Sequence, residues 1–418
     1  MTHPRIEKTA YLALLLAAVP ALAAQAPAWV ESEVKASESD LTALRHKLHA
    51  MPELGNQEVK TQAEIVRILM EAGIETVVGT KNAPTAVLGI LNPDKKDTIL
   101  LRADIDALPI TEQNDIGWRS CTPGVMHACG HDMHAAVLFG VLQQLAAEPD
   151  FRGTLFGLFQ PGEETFEGAR AAIADGLLQN PRPQVAFAMH VNSQSPLGLV
   201  LYGSPALSGV YGFRITLQGK GGHGSSPEIC IDPITAGVHV HLALQELISR
   251  EVPAAKEVAL TVGKFAGGQA ANVIPDTCVL EGTLRGFDVE LMEHLKARIA
   301  EVVKGVATTY RTPATIETLS DVPPLVLDDD MTQASLGYVG AVLPKSAFLP
   351  LFHAMASEDF ALISSEIPSA YFTVGAAVTD TDEHFAQHHP KARFSDAELP
   401  LGAAAYAAVA LGYIADHR

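Results

Sequence analysis

Cysteine is scarce in this chain. Four residues among 418, Cys121, Cys129, Cys230 and Cys278, are too few and too widely spread for the disulfide framework that staples small secreted domains. No functional disulfide is expected, since a Cys121–Cys129 bridge would withdraw Cys129 from the metal-binding side chains around it. Positive charge is short as well: 29 Lys and Arg stand against 48 Asp and Glu, a formal net charge of −19, with no basic run. That balance excludes a nucleic-acid partner, because phosphate binding draws on counterion release by clustered Lys and Arg. The acidic excess serves solubility. Low-complexity tracts and internal repeats are absent. The N-terminal apolar run, Ala10 to Val19, is too short to span a bilayer. It follows Arg5 and Lys8 and leads through Pro20 to Ala21-Leu22-Ala23-Ala24, the pattern of a cleaved secretory signal. The expected signal covers 1–24 and implies a periplasmic or secreted protein with no stable membrane insertion after cleavage.

What is present reads as a globular α/β protein, 48% hydrophobic and 18% charged, and long enough that two domains are the default. Helical spacing of Leu41, Leu44, Leu48 and Met51 predicts one helix, stopped by Pro52, and Ile65, Ile68 and Leu69 mark a second over Glu58 to Ala72. Apolar runs at Thr85–Leu91, Thr98–Arg102, Thr154–Phe159 and Gln184–Met189 read as buried strands, with helices over Ala135–Leu145 and Ala169–Leu177. The groups that follow these strands, Asp104 and Asp106, Glu163 and Glu164, and His190, fall where open α/β sheets place their sites. Near Ser208 the rhythm changes to strand, helix, strand, strand, helix, strand through Leu319, the split βαβ pattern of a small ferredoxin-like α+β domain. It interrupts the larger domain, which resumes after Pro323-Pro324 and closes with a helix over Ser395–Ile414.

The densest chemistry lies in Met126–His134, a stretch that holds three histidines, a thiol and a carboxylate around a glycine. A lone His or Cys in a loop is more often polar surface; several together point to half of a metal site. Residues so close in sequence share few directions, so the remaining ligands must come from distant strand ends. Glu163-Glu164, His190 and His388-His389 are the candidates. Adjacent carboxylates at a strand end point in different directions, which lets Glu164 face a metal while Glu163 faces substrate. Cys129 as thiolate, His131, Glu164, His190 and one of His388 or His389 would hold two divalent ions about 3.5 to 4 Å apart, lowering the pKa of a shared water and polarising a substrate carbonyl. Glu163 remains as the base that takes the water proton and passes it to the leaving amine. Sulfur and imidazole donors favour zinc, with manganese, cobalt or nickel compatible with the mixed set. Asp106, one step behind, is placed to orient a ligand His.

The chain resembles the M20 metallopeptidases, in the amidohydrolase branch of hippurate hydrolases, N-acyl-amino-acid amidohydrolases and plant auxin-conjugate hydrolases. The matching stretches are Leu101–Ile110, Met126–His134, Pro161–Glu164, Ala188–His190, Gly219–His223, Asn272–Pro275, Gly282–Arg285, Ser357–Phe360 and His388–Pro390, in order along the chain. The resemblance implies an α/β catalytic domain with a mixed central sheet and helices on both faces, in two parts over 25–207 and 319–418. It implies a lid over 208–318 that also dimerises, and two divalent metal ions per subunit. The ligands would be Cys129, His131, Glu164, His190 and His388, the last because the family motif places its ligand two residues before the proline. Glu163 would be the base, His223 would stabilise the tetrahedral oxyanion in its own or the partner's site, and Asn272 and Arg285 would hold the substrate carboxylate. Arg285 suits that part, since its fork donates two parallel hydrogen bonds to a carboxylate.

Two features depart from the family. Glu228 follows Pro227 where relatives often carry a His, and the signal is unlike the many cytoplasmic relatives. The expected activity is hydrolysis of the amide bond in an N-acyl amino acid or related small conjugate. A carboxypeptidase or dipeptidase using the same machinery on short peptides is the first alternative. A binding protein that has lost catalysis is the second, and an intact Glu163 with a full ligand set speaks against it.

Overall fold

A computed structural model describes residues 36–148, 151–179, 181–351 and 353–417, and the expected signal over 1–24 lies outside them. Helices α1 (Glu38–Ala50) and α2 (Val59–Glu71) precede β1 (Glu75–Val78), β2 (Val87–Leu91) and β3 (Thr98–Asp104). Then follow α3 (His131–Ala147), β4 (Thr154–Gln160), α4 (Gly168–Ala174), β5 (Val185–Asn192) and β6 (Leu199–Tyr202). The chain next builds β7 (Gly209–Gln218), β8 (Gly222–His223), α5 (Pro233–Glu246), β9 (Val258–Gly267), β10 (Val273–Ile274), β11 (Thr277–Gly286), α6 (Val289–Tyr310) and β12 (Ala314–Val322). It returns through α7 (Asp329–Val342), β13 (Ala347–Pro350), α8 (Phe360–Ser364), β14 (Ser369–Gly375) and α9 (Glu398–Asp416).

The large sheet is mixed and runs β1-β2-β4-β3-β5-β14-β6-β13. Its centre, β4-β3-β5-β14, is parallel throughout, so the carboxyl ends of four neighbouring strands share one edge. Strand β3 shows why: every residue of Thr-Ile-Leu-Leu-Arg-Ala-Asp is buried, as a strand covered on both faces requires. Side chains alternate across it. Ile99 and Leu101 enter the core beneath α1, α3 and α9, while Leu100 enters the opposite core with Phe360 and Ile363 of α8. Helix α9 is long and apolar enough to cross a bilayer by length and composition, but here its Ala-rich surface is buried along α3 and α7.

Several boundaries differ from the sequence expectation by a few residues, and two of them bear on the site. Helix α3 begins at His131 rather than Ala135, because Gly130 takes the left-handed conformation (φ 93°) that starts it and Asp132 occupies its electropositive first turn. His131 and His134 are therefore helical residues. A Cβ at position 130 would lie 2.5 Å from Val191 Cγ2, so the close approach of this turn to β5 needs glycine. Strand β5 in turn extends through His190 to Asn192 instead of ending before the histidine. The second sheet has the order β12-β7-β11-β9 with all neighbours antiparallel. Its apolar face, including Phe213, Ile215, Leu217 and Leu280, is covered by Val240 and Leu244 of α5 and Leu295 and Ile299 of α6, the split βαβ arrangement.

One buried group carries a pH signature. Glu398 opens α9 with 3% exposure and its Oε2 has no hydrogen-bond partner. Burial pushes its carboxyl well above the usual range, against the favourable field of the helix N-terminus. Because the folded state then holds a proton that the unfolded chain releases, this group costs stability progressively as pH rises above the ordinary value of 4.5. Thermal unfolding of Glu398→Gln beside the parent should give equal midpoints in acid and a higher midpoint for the variant at neutral pH; a pH-independent difference would contradict this.

Candidate metal centre

The shared edge of the parallel strands collects the site. Strand β3 ends at Asp104 and leads to Asp106, β4 leads to Glu163 and Glu164, β5 carries His190, the turn before α3 supplies Cys129, and the first residue of α3 is His131. His388 arrives from the loop between β14 and α9, with a left-handed backbone (φ 65°) that is costly for a non-glycine residue. Its amide donates to Ala128 O at 3.0 Å, which ties the loop to the Cys129 turn. Ligand-type atoms of Cys129, His131 and His190 lie within 4.8 Å of one another, as do those of Cys129, Glu164 and His388. Cys129 Sγ is 3.3 Å from Nε2 of both His190 and His388, and His388 Nε2 is 3.2 Å from Glu164 Oε1. All five sequence-derived ligands thus meet. His389 does not join them: its ring stacks on Phe385 at 4.4 Å and its Nδ1 accepts from the Lys391 amide.

Hydrogen bonds set the tautomers. His131 Nδ1 donates to Asp106 O at 3.0 Å and Oδ1 at 3.2 Å, leaving the Nε2 lone pair free, and His190 Nδ1 donates to Val191 O at 2.7 Å with the same result. His134, despite ring contacts with both, spends both nitrogens elsewhere. Its Nε2 accepts from the Val191 amide at 3.0 Å and its Nδ1 donates to Asp104 at 2.5 Å. It therefore orients β5 and is not a ligand. Nε2 of His131 is buried without a hydrogen-bond partner, and Oε1 of Glu164, also buried, meets the nearby ring of His388. Orphaned lone pairs of this kind, in an N, O and S donor set, fit a divalent transition-metal ion.

The electrostatics point the same way. Burial disfavours a charge on His131, yet Asp104, Asp106 and Glu164 overcome it and raise the ring to about 10. A field that strong favours any cation at that spot. Burial pushes the Cys129 thiol well above its usual range, with Glu164 and Glu163 adding to it, so a cation must offset that cost for the thiolate to form. Glu163, 5% exposed, is likewise raised well above the carboxylate range by burial and by Glu358, Glu164 and Asp359. It keeps its carboxyl beside His131 and Glu164. Beneath it Arg102, fully buried in β3, bonds Asp104, Glu358 and Asp359 at 2.6 to 2.9 Å. No role for Arg102, Glu358, Asp359 or His134 follows from the spacing of motifs. The available signal is one charged residue inside an otherwise apolar strand, which demands buried acids nearby.

A cavity of about 580 Å³ opens beside the cluster, with Phe166, Leu207, Leu351 and Met355 on its apolar wall and Asn192, Gln387 and Arg285 among its polar groups. Arg285 on β11 reaches it while its Nη1 donates to Met355 O at 2.8 Å and Ser357 Oγ at 3.0 Å. His223 ends β8 opposite Val273 and Asn272 lies just before β10, joined to the next turn by the Gly224 amide donating to Asn272 O at 2.8 Å, but both are exposed and neither lines this cavity. Asp106 lies at the centre's rim: besides orienting His131, its Oδ2 accepts the Glu164 amide at 3.0 Å.

Residues 100–412 match the model of peptidase family M20/M25/M40. The plant IAA-amino acid hydrolase ILR1-like 4 of Arabidopsis thaliana is 34% identical over 90% of this chain and 86% of its own length. The N-acetyl-L-cysteine deacetylase of Bacillus subtilis is 36% identical over 84% of this chain and 83% of its own. Among solved structures, the Bacillus subtilis YXEP protein, a dinuclear metal binding peptidase from the M20 family, superposes with a TM-score of 0.75 at 29% identity, over 90% of this chain and 98% of that one. With the donor cluster and its cavity, these likenesses establish that the chain belongs to peptidase family M20/M25/M40, as a metal-dependent amidohydrolase.

Proposed function

We propose that the chain hydrolyses the amide bond of a small N-acyl amino acid or related conjugate, with Glu163 as general base and two divalent ions per subunit. The observation that carries this reading is a cluster of five donor side chains, four of which, Cys129, Glu164, His190 and His388, line one cavity together with the buried Glu163 carboxyl and the Arg285 fork. Cys129, His131, Glu164, His190 and His388 would hold the ions, and the dinuclear solved relative supports a pair. Zinc is the proposed metal, with manganese, cobalt or nickel also compatible with the donors. When bound, the ions supply positive charge that polarises the substrate carbonyl and acidifies water. The protein does the rest. Glu163 takes the proton of the attacking water and delivers it to the leaving nitrogen, so amide and water become carboxylic acid and amine. Asp106 holds His131 and the Glu164 backbone in place. The apolar wall receives the acyl group, and the N–H groups of Arg285 not engaged by Met355 and Ser357 face the amino-acid carboxylate. The names of the two sequence relatives describe substrates with an acyl group joined to an amino acid, which supports the same linkage here.

The proposed organisation is a catalytic domain over 25–207 and 319–418 and a lid over 208–318 that pairs two subunits. Because His223 and Asn272 stand outside the cavity of their own chain, they would serve the partner's site, with His223 at the oxyanion. The signal over 1–24 would direct the protein to the periplasm or outside the cell.

Three experiments test this reading. Rates of the metal-loaded protein on N-acetyl and N-benzoyl amino acids should exceed those on unblocked dipeptides; the reverse order makes it a dipeptidase, and no turnover of either class leaves a binding protein. Glu163→Gln should lower kcat by roughly 10²- to 10⁴-fold with metal content retained, and near-parent activity would remove Glu163 as base. Mixing Glu163→Ala with His223→Ala subunits should restore part of the activity each lacks, since one of the two hybrid sites would be intact. No recovery after proven subunit exchange would place His223 outside catalysis in the partner.

A further inference from the structure

A second buried charge network lies on the far side of the Cys129 turn and touches no substrate-lining residue. Arg45 on α1 has no exposed surface. Its Nε donates to Asp132 Oδ2 at 2.7 Å, and its Nη1 donates to Asp396 Oδ1 at 2.8 Å. Asp132 directly follows the ligand His131, and Asp396 lies eight positions beyond the ligand His388 on the same return segment. One guanidinium therefore grips both ligand-bearing segments, which are more than two hundred and fifty residues apart in sequence. His49, one turn further along α1, repeats the arrangement. Its Nδ1 is 3.0 Å from Asp132 Oδ2 and its Nε2 is 3.3 Å from Glu112 Oε1. From Glu112 the path continues to the return segment: the Gln113 amide donates to Pro390 O at 2.9 Å and Asn114 Nδ2 to Ala392 O at 3.1 Å. Trp118 closes the network, with Arg45 Cζ 4.0 Å from its ring centre, His46 stacked on it and His49 edge-on.

We propose that Arg45 and His49 are positioning residues for the metal centre, fixing the distance between the Cys129–His131 turn and the His388 loop. The inference rests on the ligand set given above. Stability alone is a poor reason for such a network, since desolvating a buried ion pair costs about as much as the pairing returns. What the pairs deliver is geometry. The guanidinium has a rigid planar fork, so contacts on two edges set the spacing of the groups it holds. Apart from this network, the direct backbone bond between the two segments at the ligands is that of the His388 amide to Ala128 O. The triad of Cys129, Glu164 and His388 depends on that spacing, whereas His131 and His190 are oriented by Asp106 and by the β5 backbone and do not.

The consequence is selective. Arg45→Lys keeps the charge but offers a single point donor, which cannot span Asp132 and Asp396 together. Apoprotein titrated with Co²⁺ gives a stoichiometry and two affinities, and a cobalt–thiolate absorption band reports Cys129 directly. For Arg45→Lys we expect one Co²⁺ equivalent to bind at least about 10-fold more weakly, as disturbed supporting groups typically cause, with a shifted thiolate band and the other equivalent unchanged. Asp396→Asn is the companion variant: its side chain is 30% exposed, so it loosens the hold of Arg45 and of His46, whose Nε2 is 2.8 Å from Asp396 Oδ2, on the return segment without leaving a buried charge unpaired. It should show the same selective loss at an unchanged apoprotein thermal midpoint. If both variants fold and bind both equivalents with the parent's affinities and band, the positioning role is wrong. A parent protein without any cobalt–thiolate band instead removes Cys129 from the ligand set and overturns the underlying site reading.

Discussion

Burying carboxylates is the constraint from which this structure follows. Asp104, Asp106, Glu163, Glu358 and Asp359 are all buried at one sheet edge, with Glu164 nearly so, and Arg102 is the buried arginine among them. Each ionised carboxylate taken from water costs several kcal/mol unless paired. Arg102 divides itself among Asp104, Glu358 and Asp359, and even so burial and the neighbouring Glu358 leave Asp359 raised to about 7. The excess negative field falls on the turn that carries Cys129 and His131. A fold that gathers this much anionic character must gather cations as well. The parallel run β4-β3-β5-β14 makes the gathering possible, because only parallel neighbours bring their carboxyl ends to the same edge.

Much of this was legible in the sequence because the relevant signals are local. The buried strands are continuous apolar runs, and the chemistry sits just beyond their ends, so β3, β4 and β5 and the acids and His they deliver could be placed by inspection. The choice of His388 over His389 needed the family motif; the structure gives its physical content, with one ring beside Cys129 and the other stacked on Phe385. Elements with weak patterns were not legible. Strands β1 and β13 are short and largely exposed, so no period-2 burial marks them, and α7 has a diffuse apolar face. Pairings were harder still. Nothing local to Arg45 or Arg102 names Asp132, Asp396, Glu358 or Asp359 as a partner, since these contacts exist only after tertiary folding. His134 is the instructive failure of composition. It has the residue type of a ligand and lies among the candidate ligands, yet both its ring nitrogens are spent on other hydrogen bonds.

The cavity wall depends on the small sheet through a short strap. Residues 354–357 run between the two sheets and are held from both sides. Ser208, at the point where the chain leaves the large sheet, donates its amide to Ala356 O at 2.9 Å and its hydroxyl to Met355 O at 3.1 Å. Arg285 of β11 grips Met355 O and Ser357 Oγ from above. Glu358, the next residue, bonds Arg102 and so joins the charge network beneath Glu163. Hence the strap that gives the pocket its apolar Met355 also fixes an acid that raises the Glu163 carboxyl. The position of the small sheet, the shape of the cavity's apolar wall and the electrostatics at Glu163 are linked by one continuous stretch of backbone. Cavity shape and the proton affinity of Glu163 are consequently coupled in this fold, because Met355 and Glu358 belong to the same strap.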